Sequence, residues 1–204
     1  MTEKFINLRK ALWVGIFFSV LIWSAINPHD YPTWFLEVIP ALIGIVIMAL
    51  SYKRFPLSTL LYVLILFHCV ILMIGGHYTY AEVPLFDTIK EIFGCTRNNY
   101  DKLGHFTQGF VPAMIARELL IRFDVVNGKY WMQFIIVCIC LAISAFYELI
   151  EWAVAVMSET AAESFLGTQG YVWDTQSDMG WALLGAIMAL AILGKFHDKQ
   201  LSGL

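Results

Sequence analysis

Charge is scarce in this chain. Asp, Glu, Lys and Arg make up 14% of its 204 residues, where an ordinary soluble domain carries about 25%. With 59% hydrophobic residues and a mean hydropathy of +0.70, that shortage excludes a soluble globular protein and leaves a membrane composition. Cysteine is sparse too. Cys69, Cys138 and Cys140 fall in apolar segments and only Cys95 in a polar loop. This excludes a disulfide framework and reads as small buried hydrophobes plus one free thiol. There is no internal repeat, no low-complexity tract, no soluble domain and no tight HExxH-like metal signature. Membrane lipids are the expected partners, no nucleic acid is expected, and protein partners stay open.

What is present is long apolar runs. Lys4, Arg9 and Lys10 precede an apolar stretch ending near Ile26, which has the look of a signal peptide. However, Ser24-Ala25-Ile26-Asn27 is a poor cleavage site and further spans follow, so the stretch reads as an uncleaved first helix. Runs of about 16–20 residues or more are long enough to cross hydrocarbon at 1.5 Å per residue. The expected fold is therefore all-α: one integral membrane bundle over residues 1–204, with spans near 11–26, 34–52, 57–75, 102–123, 131–157 and 176–194. Residues 158–175 are expected to form a loop. Gly180, Ala182, Gly185, Ala186 and Ala189 offer the last span a small-residue packing face. Between the third and fourth spans, Leu85, Phe86, Ile89, Ile92 and Phe93 recur at helical spacing opposite Asp87, Lys90 and Glu91. That pattern predicts a short interfacial helix over 83–93.

The basic residues set an expected orientation. Ten of the thirteen Lys and Arg fall on one side of this six-span arrangement. The positive-inside rule then puts both termini in the cytoplasm of a bacterial inner membrane.

Under that topology the ionisable residues collect at the outer face. Twelve of the sixteen acids lie there. Asp101 and His105 are one helical turn apart, with Lys102 beside them. Ser144, Tyr147, Glu148 and Glu151 form a single polar stripe on an otherwise apolar span. Asp174 and Asp178 again stand one turn apart. His77 follows Gly75-Gly76 at the end of the third span. His29, His68 and His197 read as turn, mid-span and tail residues. Each residue has a duller reading: a packing histidine, helix-end carboxylates, a lysine that neutralises Asp101. A charge near the centre of a membrane helix costs on the order of 3 kcal/mol, however, which disfavours idle clustering.

Three chemistries need such a set. General acid–base catalysis would use His105 with Asp101 or Glu148, assisted by Lys102 and Glu151. A divalent metal would take nitrogen and oxygen ligands from His77, His105, Glu148, Asp174 and Asp178. A proton or ion relay would need polar residues continuing across the bilayer. Met132–Ala142 and Ala182–Leu193 are apolar apart from Gln133, which disfavours a transporter. The reading that follows is an envelope protein that binds or modifies a lipid or lipid-linked headgroup. The rivals are a non-catalytic membrane subunit or scaffold and, behind it, a transporter, so enzyme and non-enzyme both stay open. An interfacial helix covering the mouth of the site would favour the lipid.

Three motifs carry a resemblance: Tyr100-Asp101-Lys102-Leu103-Gly104-His105-Phe106, Tyr147-Glu148-Leu149-Ile150-Glu151-Trp152 and the stretch from Leu166 to Met179. With them the whole chain resembles the YjdF-type family of bacterial inner-membrane proteins. Tyr171 departs from the acid expected there. Asp101, Lys102, His105 and Phe106, with the later Glu148 and with Asp178 ahead of Gly180 and Gly185, are also similar to VanZ-like membrane proteins over the last half of the chain. Those proteins are associated with resistance to a lipoglycopeptide antibiotic. Their arginine before the Asp has no counterpart here. The two resemblances imply a multispan inner-membrane fold and hand over no mechanism.

Overall fold

The structure is a computed structural model that describes residues 3–157 and 168–203. Most of the expected 158–175 loop, including the start of the third motif, lies outside the described residues. Among those described there are seven α-helices and no strand: α1 (Glu3–Ser24), α2 (Tyr31–Ser51), α3 (Thr59–Tyr78), α4 (Pro84–Phe93), α5 (Tyr100–Arg122), α6 (Lys129–Met157) and α7 (Asp174–Leu201). A single 3-10 turn, Tyr80–Glu82, joins α3 to α4.

Four of these, α2, α3, α6 and α7, are long and apolar enough to cross a membrane. α1 and α5 have 22 and 23 residues, which is sufficient length at 1.5 Å per residue. α5 falls short of the apolar standard because its ends are charged, with Asp101 and Lys102 at one and Arg117, Glu118 and Arg122 at the other. Local chemistry sets the helix starts. The Asp30 carboxylate accepts from Thr33 N at 2.8 Å to cap α2, and Ser58 Oγ accepts from Leu61 N at 3.3 Å to cap α3.

α5 is the axis of the fold, packed against α3, α6 and α7. Its approach to α7 is backbone to backbone. A Cβ at Gly109 would strike the Ala182 carbonyl, and one at Gly185 would strike the Phe106 carbonyl. Only glycine permits this contact, so the small-residue face of α7 is real along Ala182, Gly185, Ala186 and Ala189, all buried. Gly180 is not part of it; it is exposed with open space around it. The core runs through Phe17, Val38, Leu61, Met73, Val111, Met114 and Ile136. The outer surface is apolar as well, as at Ile47, Leu50, Phe146 and Trp152.

The two ends of α5 carry different polar groups, about 26 Å apart at 1.5 Å per residue. At the Arg122 end, Glu118 is fully buried. It accepts from Ser58 N at 3.0 Å and pairs with His197 Nε2 at 2.9 Å and Arg122 at 2.9 Å. His197 is therefore a buried clamp between α5 and α7, and no tail residue. α7 runs on to Leu201 because this clamp, with the Gln200 side chain accepting from Leu60 N, holds its polar last turns. Cys69 and Cys140 are buried, whereas Cys138 sits exposed on α6; all four cysteines are free.

Candidate functional site

The Tyr100 end of α5 meets the Asp174 end of α7, and two cations hold the junction. Lys102 Nζ lies 2.6 Å from Asp174 Oδ1, 2.6 Å from Asp178 Oδ1 and 3.4 Å from Asp101 Oδ2. Arg97 reaches the same Asp174 oxygen at 2.6 Å and Asp101 at 3.5 Å. The carboxylates Asp101 and Asp174 also sit in the first turns of their helices, where exposed backbone N–H groups favour negative charge.

His105 stands one turn further along α5 and is 5% exposed. Its Nε2 is 3.3 Å from Asp101 Oδ1, and its Nδ1 is 3.7 Å from Glu148 Oε1 and 3.2 Å from Gln108 Oε1. The imidazole thus links two carboxylate groups, one on each side. The polar stripe of α6 supplies the second. Ser144, Glu148 and Glu151 are all buried, while Tyr147 turns its hydroxyl to Glu37 of α2 and donates at 2.9 Å.

Counted as charges, the site is unbalanced. Glu37, Asp101, Glu148, Glu151, Asp174 and Asp178 are each no more than 7% exposed. The Arg97 guanidinium and the Lys102 ammonium are the fixed cations set among them, and the His105 imidazole lies between. Buried carboxylates need a positive partner or a proton. Two groups of ligand atoms lie mutually within 4.8 Å: Asp101, His105 and Asp178, and His105, Glu148 and Glu151. Glu148 Oε1 and Ser144 Oγ are buried with no hydrogen-bond partner among the described residues.

Beneath these groups is a cavity of about 200 Å³, walled by α2, α3, α5, α6 and Tyr80. Its lining changes with depth. On α5 it runs from Asp101 through His105 and Gln108 to Pro112, on α6 from Glu151 through Tyr147 to Ile143, and on α2 from Glu37 to Pro40. His68, whose Nε2 has no partner among the described residues, is the polar exception at depth. Tyr80 roofs the cavity. Its ring fills the space that a Cβ at Gly75 or Gly104 would occupy, and burial pushes its hydroxyl well above its usual value near 10, so it stays a neutral donor. The preceding Thr79 has φ +62° and ψ 149°, a strained conformation for a β-branched residue that turns Tyr80 inward. α2 packs along α3, and it meets α6 through the Tyr147–Glu37 hydrogen bond.

The structure therefore brings Asp101, Lys102, His105, Glu148, Glu151, Asp174 and Asp178 into one assembly. Within it Asp174 is held by Arg97 and Lys102 and does not reach His105 in the way Asp178 does. His77 stands apart. Its Nδ1 is 3.1 Å from Ser24 O and its ring packs on Trp23 at the junction of α1 and α3. Helix α4 forms over Pro84–Phe93 with an αL cap at Gly94 and docks through Phe86 on Tyr100 and Asp87 on Asn98. It contributes no lining residue to the cavity, so the cover that would have favoured a lipid is not supplied by α4, and that weakens the lipid reading. Sequence reasoning missed Glu37 and Arg97. A lone carboxylate in the apolar run of α2 was a sufficient signal for Glu37. Arg97 lies in a polar loop among other charges and offered none.

Residues 9–199 match the family described as "predicted membrane protein (DUF2238)". The chain belongs to this family. It is 50% identical over 182 residues to the inner membrane protein YjdF of Escherichia coli (strain K12), covering 89% of this chain and 87% of that one. No solved structure matches it significantly. The chain is accordingly an integral inner-membrane protein with several apolar helices.

Proposed function

We propose that six helices, α1, α2, α3, α5, α6 and α7, span the membrane with both termini in the cytoplasm, and that the polar site faces outward to bind or modify a lipid or lipid-linked headgroup. The basic-residue distribution supports the orientation. The observation that carries the ligand class is the cavity lining, which passes from Asp101, His105 and Glu151 to Pro112 and Ile143 with depth, His68 being the polar exception there. A polar headgroup with an apolar tail has the same gradient. With α4 absent from the lining, the gradient alone supports the lipid.

The rival is a scaffold whose polar groups serve only as helix–helix contacts. It would pack and pair those groups fully, whereas Glu148 Oε1 and Ser144 Oγ are buried without hydrogen-bond partners among the described residues. The test is identification by mass spectrometry of the lipids that co-purify in mild detergent. The wild type should retain a headgroup-bearing lipid that is depleted in Leu72→Trp, which narrows the cavity. Identical lipid profiles in the two proteins would contradict the reading.

A further inference from the structure

We infer that Glu148, Glu151 and His105 Nδ1 form the seat of one divalent transition-metal ion, with Asp101 as the residue that orients the imidazole. This does not rest on the lipid reading. Two groups of potential ligands share His105, and their electrostatics differ. Asp101 and Asp178 are already served by the Lys102 ammonium at 3.4 and 2.6 Å. A metal ion among them would sit against a fixed positive charge. On the other side of the ring, no Lys or Arg lies within salt-bridge distance of Glu148 or Glu151 among the described residues, and His105 is the only basic group that does.

A second, independent observation points to a ligand. Glu148 is 7% exposed, and its Oε1 is buried without a hydrogen-bond partner, 3.7 Å from His105 Nδ1. A buried carboxylate oxygen without a partner is costly to keep. Coordination would satisfy it. The imidazole is already arranged for the role. A ligating histidine ordinarily gives its other N–H to a carboxylate, which fixes the tautomer and raises ligand basicity. Here Nε2 faces Asp101 Oδ1 at 3.3 Å, and Lys102 and Arg97 keep that carboxylate in place. Nδ1 faces Glu148 and Gln108 Oε1, and metal binding releases the Nδ1 proton and exchanges the contact with Gln108 for a bond. One nitrogen and two carboxylates suit Mn²⁺, Fe²⁺ or Zn²⁺ and leave coordination positions vacant. His105 and Glu151 also line the cavity, so those positions face the space where a ligand would sit.

The experiment uses the purified full chain, stripped with chelator and titrated separately with Mn²⁺ and Zn²⁺, with bound metal measured directly. The wild type should bind one ion per chain. Glu148→Gln and Glu151→Gln should each abolish stoichiometric binding, and Asp101→Asn should weaken it about 10–100-fold, as loss of an orienting partner does. Asp178→Asn should bind within a few-fold of wild type. Electron spin-echo modulation of the Mn²⁺-bound wild type should show one coordinated imidazole nitrogen, a readout that needs no variant to fold. Absence of a bound ion, absence of that nitrogen, or loss of binding in Asp178→Asn with retention in Glu148→Gln would each overturn the assignment.

Discussion

Lys102 shows why a charged residue in this site should not be read as catalytic from its type alone. Its ammonium sits 2.6 Å from Asp174 and from Asp178, on two turns of another helix, so it joins α5 to α7. Removing one partner from a buried ion pair leaves an uncompensated charge and is destabilising by about 3–5 kcal/mol. Lys102→Met should therefore unfold at much lower temperature than wild type in detergent, and adding Asp178→Asn to it should recover part of the loss. A wild-type melting curve for Lys102→Met would show that the pair contributes nothing. Sequence reasoning could see that Asp101, Lys102 and His105 share a stretch. It could not see that Lys102 and His105 divide the carboxylates between them, because that depends on α7 lying against α5.

At the scale of the helix, the contact between α5 and α7 depends on two missing side chains. Gly109→Leu would force a side chain into the Ala182 carbonyl. Overpacking costs about 1–3 kcal/mol where side chains can yield, and here the obstacle is backbone, so loss of monodisperse folded protein on size exclusion is expected. Gly180→Ala is the control. It stands in open space inside α7, and replacing an interior helical glycine by alanine gains about 0.8–1 kcal/mol, so its melting temperature should match or exceed wild type. Apolar runs made the helices visible from sequence, and the short amphipathic α4 was visible by its spacing. Their ends were not. α7 was expected to stop near residue 194 and continues to Leu201 because buried Glu118 holds His197, a pairing between segments almost eighty positions apart. Glu37 was visible as a lone carboxylate in an apolar run, but its place in the site was not, because that depends on the Tyr147 hydroxyl of a distant helix and on the cavity they line together.

For the whole molecule, the orientation and the nature of the polar site decide what the protein can do. Cys95 is exposed and free, two residues from Arg97. In intact spheroplasts an impermeant maleimide should label Cys95, and should not label a cysteine placed at Asn127 in a chain lacking Cys95; the reverse pattern would put the site in the cytoplasm. The central claim is that the carboxylates around His105 are kept for a ligand and not for the fold. Groups retained for function are held at the expense of stability, whereas structural partners stabilise. Thermal unfolding of chelator-stripped Glu148→Gln against stripped wild type separates the two most directly. Because Glu148 Oε1 makes no hydrogen bond among the described residues, the substitution should leave the melting temperature equal or higher. A drop corresponding to about 1–3 kcal/mol, the penalty for breaking a satisfied buried contact, would make Glu148 a structural residue and contradict the account.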